Sequence, residues 1–91
     1  HTIIATGSEP SSFPPGMLDI DEKYVVTSTG ALSLEKIPKR MIVVGGGVIG
    51  LEMGSVYNRL GTEVTVIQHT EVICPFLDRE VANAFQKILK K

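Results

Sequence analysis

In Met41-Ile42-Val43-Val44-Gly45-Gly46-Gly47-Val48-Ile49-Gly50-Leu51-Glu52, four apolar residues run into a glycine cluster and a helical pattern follows. The apolar run is rich in β-branched residues and reads as a buried parallel strand. Glycines 45, 47 and 50 fit the G-x-G-x-x-G spacing, a weak signal alone that gains weight between a strand and a helix. Each glycine has a physical task. Gly45 permits a tight turn, Gly47 lets the backbone approach a pyrophosphate, and Gly50 lets the helix lie close to the strand. The first helical N–H groups lack internal partners and face an anion with help from the helix dipole. The plain alternative is a β–α turn that binds nothing; the flanking strand and helix favour dinucleotide binding.

Outward from the turn, Val48 to Leu60 is the predicted helix. Ile49, Met53, Val56 and Leu60 share one helical face. Gly54 and Ser55 are small enough for part of the helix to approach a neighbour closely. Gly61 follows as the residue past the C-cap. Glu63 to Ile67 is the second strand, and strand–helix–strand implies a right-handed parallel unit. After a loop from His69 to Leu77, Asp78 is placed to cap a last helix. Val81, Ala84, Phe85, Ile88 and Leu89 give that helix an apolar stripe. Lys87, Lys90 and Lys91 suit the negative end of its dipole. The fold class is therefore α/β. It reads as a Rossmann-type β-α-β unit, an incomplete piece of a doubly wound dinucleotide-binding fold, which the resemblance given below makes an FAD/NAD(P)-binding one.

The first third of the chain is less regular. His1 to Ala5 reads as the end of a strand, broken by Thr6-Gly7-Ser8. Pro14-Pro15-Gly16 excludes helix and central strand from the connector that follows. Leu18 to Lys23 is acidic and turn-like, and Tyr24-Val25-Val26 reads as a short extended run. Thr27 to Leu32 suggests a helical turn capped by Ser28 and weakened by Gly30. Pro38-Lys39-Arg40 marks a boundary. The expected organisation is 1–8 as the end of one segment, 9–38 as a connector, and 39–91 as the first half of a nucleotide-binding domain.

The 91 residues hold 9 basic and 10 acidic side chains, a net charge of −1. That balance suggests no nucleic-acid footprint and no membrane-surface patch. No apolar run approaches the roughly 18 residues of a membrane span. The single cysteine, Cys74, gives no disulfide framework or structural zinc site and reads as a surface or half-buried thiol. His1 and His69 are too far apart in sequence to suggest a metal site, and none is expected. The chain opens on His1-Thr2 with no signal peptide and no initiator Met, which suggests a piece of a longer protein. A chain of this length buries roughly two-thirds of its unfolded surface, a marginal amount.

Two polar positions bear on a ligand. Units of this kind usually carry Asp or Glu at the end of the second strand, where the carboxylate takes the adenosine ribose hydroxyls. Gln68 stands there, followed by His69. An amide still bonds a hydroxyl, but it carries no charge to reject a 2′-phosphate. No arginine lies close enough in sequence to argue for NADP. Three readings remain open: weaker NAD binding, recruitment of another group such as Glu71, or an ordinary strand-end polar side chain. Glu52 reads as a first-turn carboxylate favoured by the dipole. From spacing alone it stabilises the helix start rather than meeting a ligand.

Several segments in order resemble one family. They are Ile3-Ile4-Ala5-Thr6-Gly7-Ser8, Ser28-Thr29-Gly30-Ala31-Leu32, Val43 through Val56, Arg59-Leu60-Gly61 and Val64-Thr65-Val66. Together they resemble the dihydrolipoamide dehydrogenases, class I pyridine nucleotide-disulfide oxidoreductases, over nearly the whole chain. The resemblance implies a homodimeric flavoprotein that oxidises protein-bound dihydrolipoamide, passes electrons through a redox disulfide to FAD, and reduces NAD⁺. It implies service to 2-oxo acid dehydrogenase complexes and glycine cleavage, in the mitochondrial matrix or, for bacterial relatives, the cytoplasm. By position, Thr6, Gly7 and Ser8 match a flavin-contacting segment. Gly45, Gly46, Gly47, Val48, Ile49, Gly50, Leu51 and Glu52 match the NAD-binding turn and helix start. The resemblance moves Glu52 towards the nicotinamide and flavin, against the spacing-based reading. Gln68 falls where the family has its ribose-binding glutamate, which puts the usual NAD selectivity in doubt.

The same resemblance places the chemistry elsewhere. The family's paired redox cysteines precede this segment and Cys74 is not one of them. Its catalytic His–Glu pair belongs to a later domain, and His69 does not stand in for it. No catalytic residue is therefore expected here, and the 91 residues alone are expected to be inactive. A second reading is a non-catalytic dinucleotide-binding or interaction module of the same fold, kept open by Gln68. A different two-dinucleotide flavoprotein is disfavoured by the Ser-Thr-Gly-Ala-Leu segment.

Overall fold

The computed structural model describes residues 1–90. Its element order is α1 (Ser28–Ala31), β1 (Arg40–Val44), α2 (Val48–Arg59), β2 (Glu63–Ile67) and α3 (Arg79–Leu89). The chain divides into two compact units, His1–Leu34 and Glu35–Lys91.

In the first unit, Ile3 and Ile4 are 90% and 86% exposed and belong to no strand. The expected strand end at His1 to Ala5 is absent. An extended segment becomes a strand only by pairing, and no described residue pairs with this one. Pro14-Pro15-Gly16-Met17 closes a turn, with Met17 N–H donating to the Pro14 carbonyl at 3.1 Å and Gly16 at φ +79°. The run at Tyr24 to Val26 is not extended as expected. One Asp21 oxygen accepts from the N–H groups of Lys23 (2.9 Å), Tyr24 (2.8 Å) and Val25 (2.8 Å), and this winds the chain into a bend. Such local side-chain acceptors compete with extended structure.

Thr27, not Ser28, caps α1. Its hydroxyl accepts from Gly30 N–H at 3.4 Å, and Ser28 is the first helical residue. Gly30 also has a packing reason to be there. A Cβ at this position would run into the Glu22 carboxylate, which itself accepts from Thr27 N–H at 3.2 Å.

In the second unit, β1 and β2 pair in parallel with Met41 opposite Val64 and Val43 opposite Val66. α2 packs on both strands. The sequence expectation of an α/β Rossmann-type piece matches this arrangement. Two details differ. The apolar stripe Ile49, Met53, Val56, Leu60 is not the face that meets the sheet, for Ile49 is 59% exposed and Val56 and Leu60 are exposed too. The sheet-facing side is Gly50, Leu51 and Gly54. A Cβ on Gly54 would sit 3.3 Å from Val64 Cγ1 and 3.7 Å from Val43 Cγ2. Small residues bring helix and sheet together, so they take the packed face. β1 is likewise not buried on both sides. Met41 and Val43 are half-buried under α2, while Ile42, at 66% exposure, and Val44 lie on an uncovered face. α3 packs on neither strand.

The end of α2 follows its expected chemistry. Gly61 N–H donates to the Asn58 carbonyl and Thr62 N–H to the Tyr57 carbonyl, each at 3.0 Å, with Gly61 at φ +95°. This is a Schellman closure. Thr62 is buried, and its hydroxyl donates to the Pro38 carbonyl at 2.7 Å, pinning the start of β2 to the approach to β1. Asp78 caps α3 as expected, accepting from Glu80 and Val81 N–H. The inward side of α3 is Ala82, Phe85 and Gln86, whereas Val81 and Ile88 of the expected stripe are exposed. Gln86 Oε1 accepts from Ile73 N–H at 3.2 Å, so a polar residue ties this helix to the loop before it. Lys87 lies in the last turn and Lys90 at the C-cap; the expectation for Lys91 lies outside the described residues.

Candidate functional site

The site begins where β1 ends. Gly45 adopts φ +109°, a conformation that side chains resist. Its N–H donates to the Ile67 carbonyl at 2.8 Å, carrying the parallel ladder one step past the strands. Gly46 follows, buried, with both of its backbone groups engaged. Its N–H donates to Gln68 Oε1 at 2.9 Å and its carbonyl accepts from Cys74 N–H at 2.8 Å. A backbone N–H only donates, so the Gln68 atom facing it is the carbonyl oxygen. Gln68 Nε2 then donates to Thr70 Oγ1 at 2.6 Å, and the Thr70 hydroxyl donates to the Val72 carbonyl at 2.8 Å.

The glycines differ in their surroundings. At Gly47, the N-cap of α2, an added Cβ would meet nothing within 4 Å, and the backbone lies at φ −81° and ψ 174°. Space and conformation there suit any residue. At Gly50 an added Cβ would lie 2.6 Å from the Gly45 carbonyl oxygen and 2.9 Å from Val43 Cγ1. Gly50 is thus demanded by internal packing, and Gly45 by the turn. Gly47 suits the N-cap, as Ser, Thr, Asp or Asn would, but neither its conformation nor its surroundings demand glycine. No side chain caps the start of α2, and helix geometry leaves the N–H groups of Val48, Ile49 and Gly50 without intrahelical acceptors. An oxyanion fits that open, dipole-favoured space.

The remaining predicted residues fall as follows. Val48 and Ile49 are exposed at the helix start, and Leu51 is buried. Glu52 is exposed and is the fifth residue of α2, so it does not lie in the first turn as expected; that turn holds no acidic residue. The helix begins at Val48, after the turn has already used Gly47. Thr6, Gly7 and Ser8 are exposed and belong to the first unit. The second unit thus brings Gly45, Gly46, Gly50 and Gln68 together. Cys74 is fully buried, contrary to the expected surface or half-buried thiol, and sits at φ +46°. Its N–H is needed by Gly46, which fixes its backbone and draws its side chain inward. Sequence spacing gave no signal for that bond or for the second anchor of Gln68. No cluster of three or more His, Cys, Asp or Glu suited to a metal occurs among the described residues.

The family described as pyridine nucleotide-disulphide oxidoreductase matches residues 1–91. The chain belongs to this family. Within it, the chain is 54% identical over 91 residues to a dihydrolipoyl dehydrogenase of Trypanosoma brucei brucei, covering all of this chain and 19% of that protein. It is 56% identical over 92 residues to a dihydrolipoamide dehydrogenase of Chaetomium thermophilum, covering 18% of it. It is 55% identical to the protein named dihydrolipoyl dehydrogenase 2, mitochondrial, of Arabidopsis thaliana, again covering 18%. The chain therefore spans under a fifth of the length of these curated relatives.

Proposed function

We propose that this chain supplies the NAD pyrophosphate-binding turn of a flavoprotein that oxidises protein-bound dihydrolipoamide and reduces NAD⁺. The observation that carries this reading is Gly47, a glycine that the fold itself does not require, beside uncapped helical N–H groups. The similarity to dihydrolipoyl dehydrogenases over all 91 residues supports the reaction. When bound, NAD⁺ would accept the electrons released from dihydrolipoamide; this chain's part is to hold its phosphates at Gly45 to Leu51. Glu52 and Gln68 are proposed to lie towards the nicotinamide and ribose ends, and Thr6, Gly7 and Ser8 to contact FAD. The full-length protein would act as a homodimer on dihydrolipoyl groups of 2-oxo acid dehydrogenase complexes and the glycine cleavage system. The word mitochondrial in relatives' names supports a matrix location.

The test is Gly47→Leu in the full-length protein. An added Cβ meets nothing within 4 Å, so the protein should stay folded with about 1 kcal/mol lost at the N-cap, while NADH affinity falls about tenfold or more, roughly 1.4 kcal/mol. Unchanged NADH affinity in a folded Gly47→Leu protein would remove the pyrophosphate from this space. Dihydrolipoamide-dependent NAD⁺ reduction by the unsubstituted protein tests the reaction itself.

A further inference from the structure

Gln68 stands where this kind of site usually carries a carboxylate, and its amide is committed on both sides. Oε1 accepts from Gly46 N–H at 2.9 Å, and Nε2 donates to Thr70 Oγ1 at 2.6 Å. A carboxylate would keep the first bond, but at the second it could only accept, so the Thr70 hydroxyl would have to turn from the Val72 carbonyl to donate to it. The run of bonds from Gly46 through Gln68 and Thr70 to Val72, in the direction it takes, uses an amide that both accepts and donates. Gln68 Cβ and Cγ also lie 3.4 Å from where a Cβ on Gly46 would project, so the stem of the side chain walls the turn. The flanking His69 is exposed and adds no negative charge. Glu71, three residues on, is exposed too and lies between Thr70 and Val72 of the same network.

Resting on the dinucleotide reading above, we propose that Gln68 is a neutral strut that sets nucleotide preference: it braces the glycine turn and lets the site accept an adenosine ribose with or without a 2′-phosphate. A charged acceptor repels a 2′-phosphate, and an amide does not. Two roles are separable in one side chain. The bond to Gly46 positions the turn for both nucleotides, and the absent charge removes the discrimination between them.

The test uses the full-length protein and two probes that differ only by the 2′-phosphate, adenosine 5′-monophosphate and adenosine 2′,5′-bisphosphate. Each is titrated in competition with NADH fluorescence. The unsubstituted protein should bind the two with dissociation constants within about tenfold of each other, and Gln68→Glu should widen the gap in favour of the monophosphate by about tenfold or more. Gln68→Met should weaken both probes by a similar factor and leave their ratio unchanged, the signature of a lost brace. Rejection of the bisphosphate by about a hundredfold in the unsubstituted protein would overturn the proposal. If that rejection collapses in Glu71→Gln, the discriminating charge sits on Glu71. Should Gln68→Glu fail to fold, the unsubstituted ratio decides alone. Binding of the monophosphate with strong rejection of the bisphosphate overturns only this inference, whereas failure of NADH and both probes to bind removes the dinucleotide reading with it.

Discussion

Three glycines of one motif carry three separate constraints, and substitution at each should fail differently. Gly50→Ala pushes a methyl against the Gly45 carbonyl oxygen at 2.6 Å and Val43 Cγ1 at 2.9 Å. The closer neighbour is backbone, so α2 must lift from β1, and urea denaturation should report a loss of about 1–3 kcal/mol. Gly47→Leu should cost only about 1 kcal/mol in the same measurement, the loss of a favoured N-cap residue, because an added Cβ there meets nothing within 4 Å. The spacing of the motif made the turn at Gly45 and the close approach at Gly50 legible before any coordinates, while the part of Gly47 rests on the proposal above. Cys74 was not legible, because its burial follows from a backbone bond to Gly46 that no residue pattern announces. At φ +46° an ordinary side chain is strained by roughly 1–2 kcal/mol, so glycine gains what alanine does not. Cys74→Gly should therefore be at least as stable as Cys74→Ala by urea denaturation, reversing the usual order of the two. If Cys74→Ala is the more stable by about 1 kcal/mol, its usual margin, the left-handed conformation at this position carries no strain. The native thiol should resist aromatic disulfide reagents until the protein unfolds.

Among the elements, the boundaries of α2, β2 and α3 were readable because their terminal chemistry is local: Gly61 after α2, Asp78 before α3, β-branched residues between them. The packed faces were not. Apolar periodicity picked Ile49, Val56 and Leu60, yet the sheet meets Gly50, Leu51 and Gly54. Periodicity marks every apolar face, and only close approach separates the one against the sheet from one left outside. Asp78→Ala should cost about 1 kcal/mol by denaturation, since two N–H groups of α3 lose their acceptor. The bend at Asp21 has a pH signature. Bonds first from Val25 and then from Lys23 and Tyr24 hold its carboxyl below the ordinary aspartate value of 3.8. A depressed folded-state value means the bend is favoured above the ordinary value and is lost as pH falls through the lower one. Amide shifts of Lys23 to Val25 should stay constant from neutral pH down to the usual aspartate range and move below it. A transition above that range would contradict the bonds seen here.

For the whole chain, the second unit is a β-α-β layer with one side covered. α2 lies over Val43 and Val64, while the opposite face of the sheet carries Ile42, Val44 and Ile67, all exposed. The outer side of α2 adds Ile49, Val56 and Leu60. A doubly wound sheet is covered by helices on both faces and has more than two strands, and the chain matches under a fifth of its relatives' length. A two-stranded sheet is marginal by itself, so the turn that depends on it is not held rigidly. The Gly46–Gln68 and Gly46–Cys74 bonds fix the turn locally, but β1 and β2 set where α2 begins, and those strands keep one face in water. The isolated 91-residue chain should therefore bind the hydrophobic dye ANS strongly and show no saturable NADH binding at micromolar concentrations, whereas the full-length protein should bind NADH without ANS enhancement. Micromolar NADH binding by the isolated chain would mean that the turn and its Gln68 brace are preorganised by the β-α-β unit alone, without a second layer on the sheet.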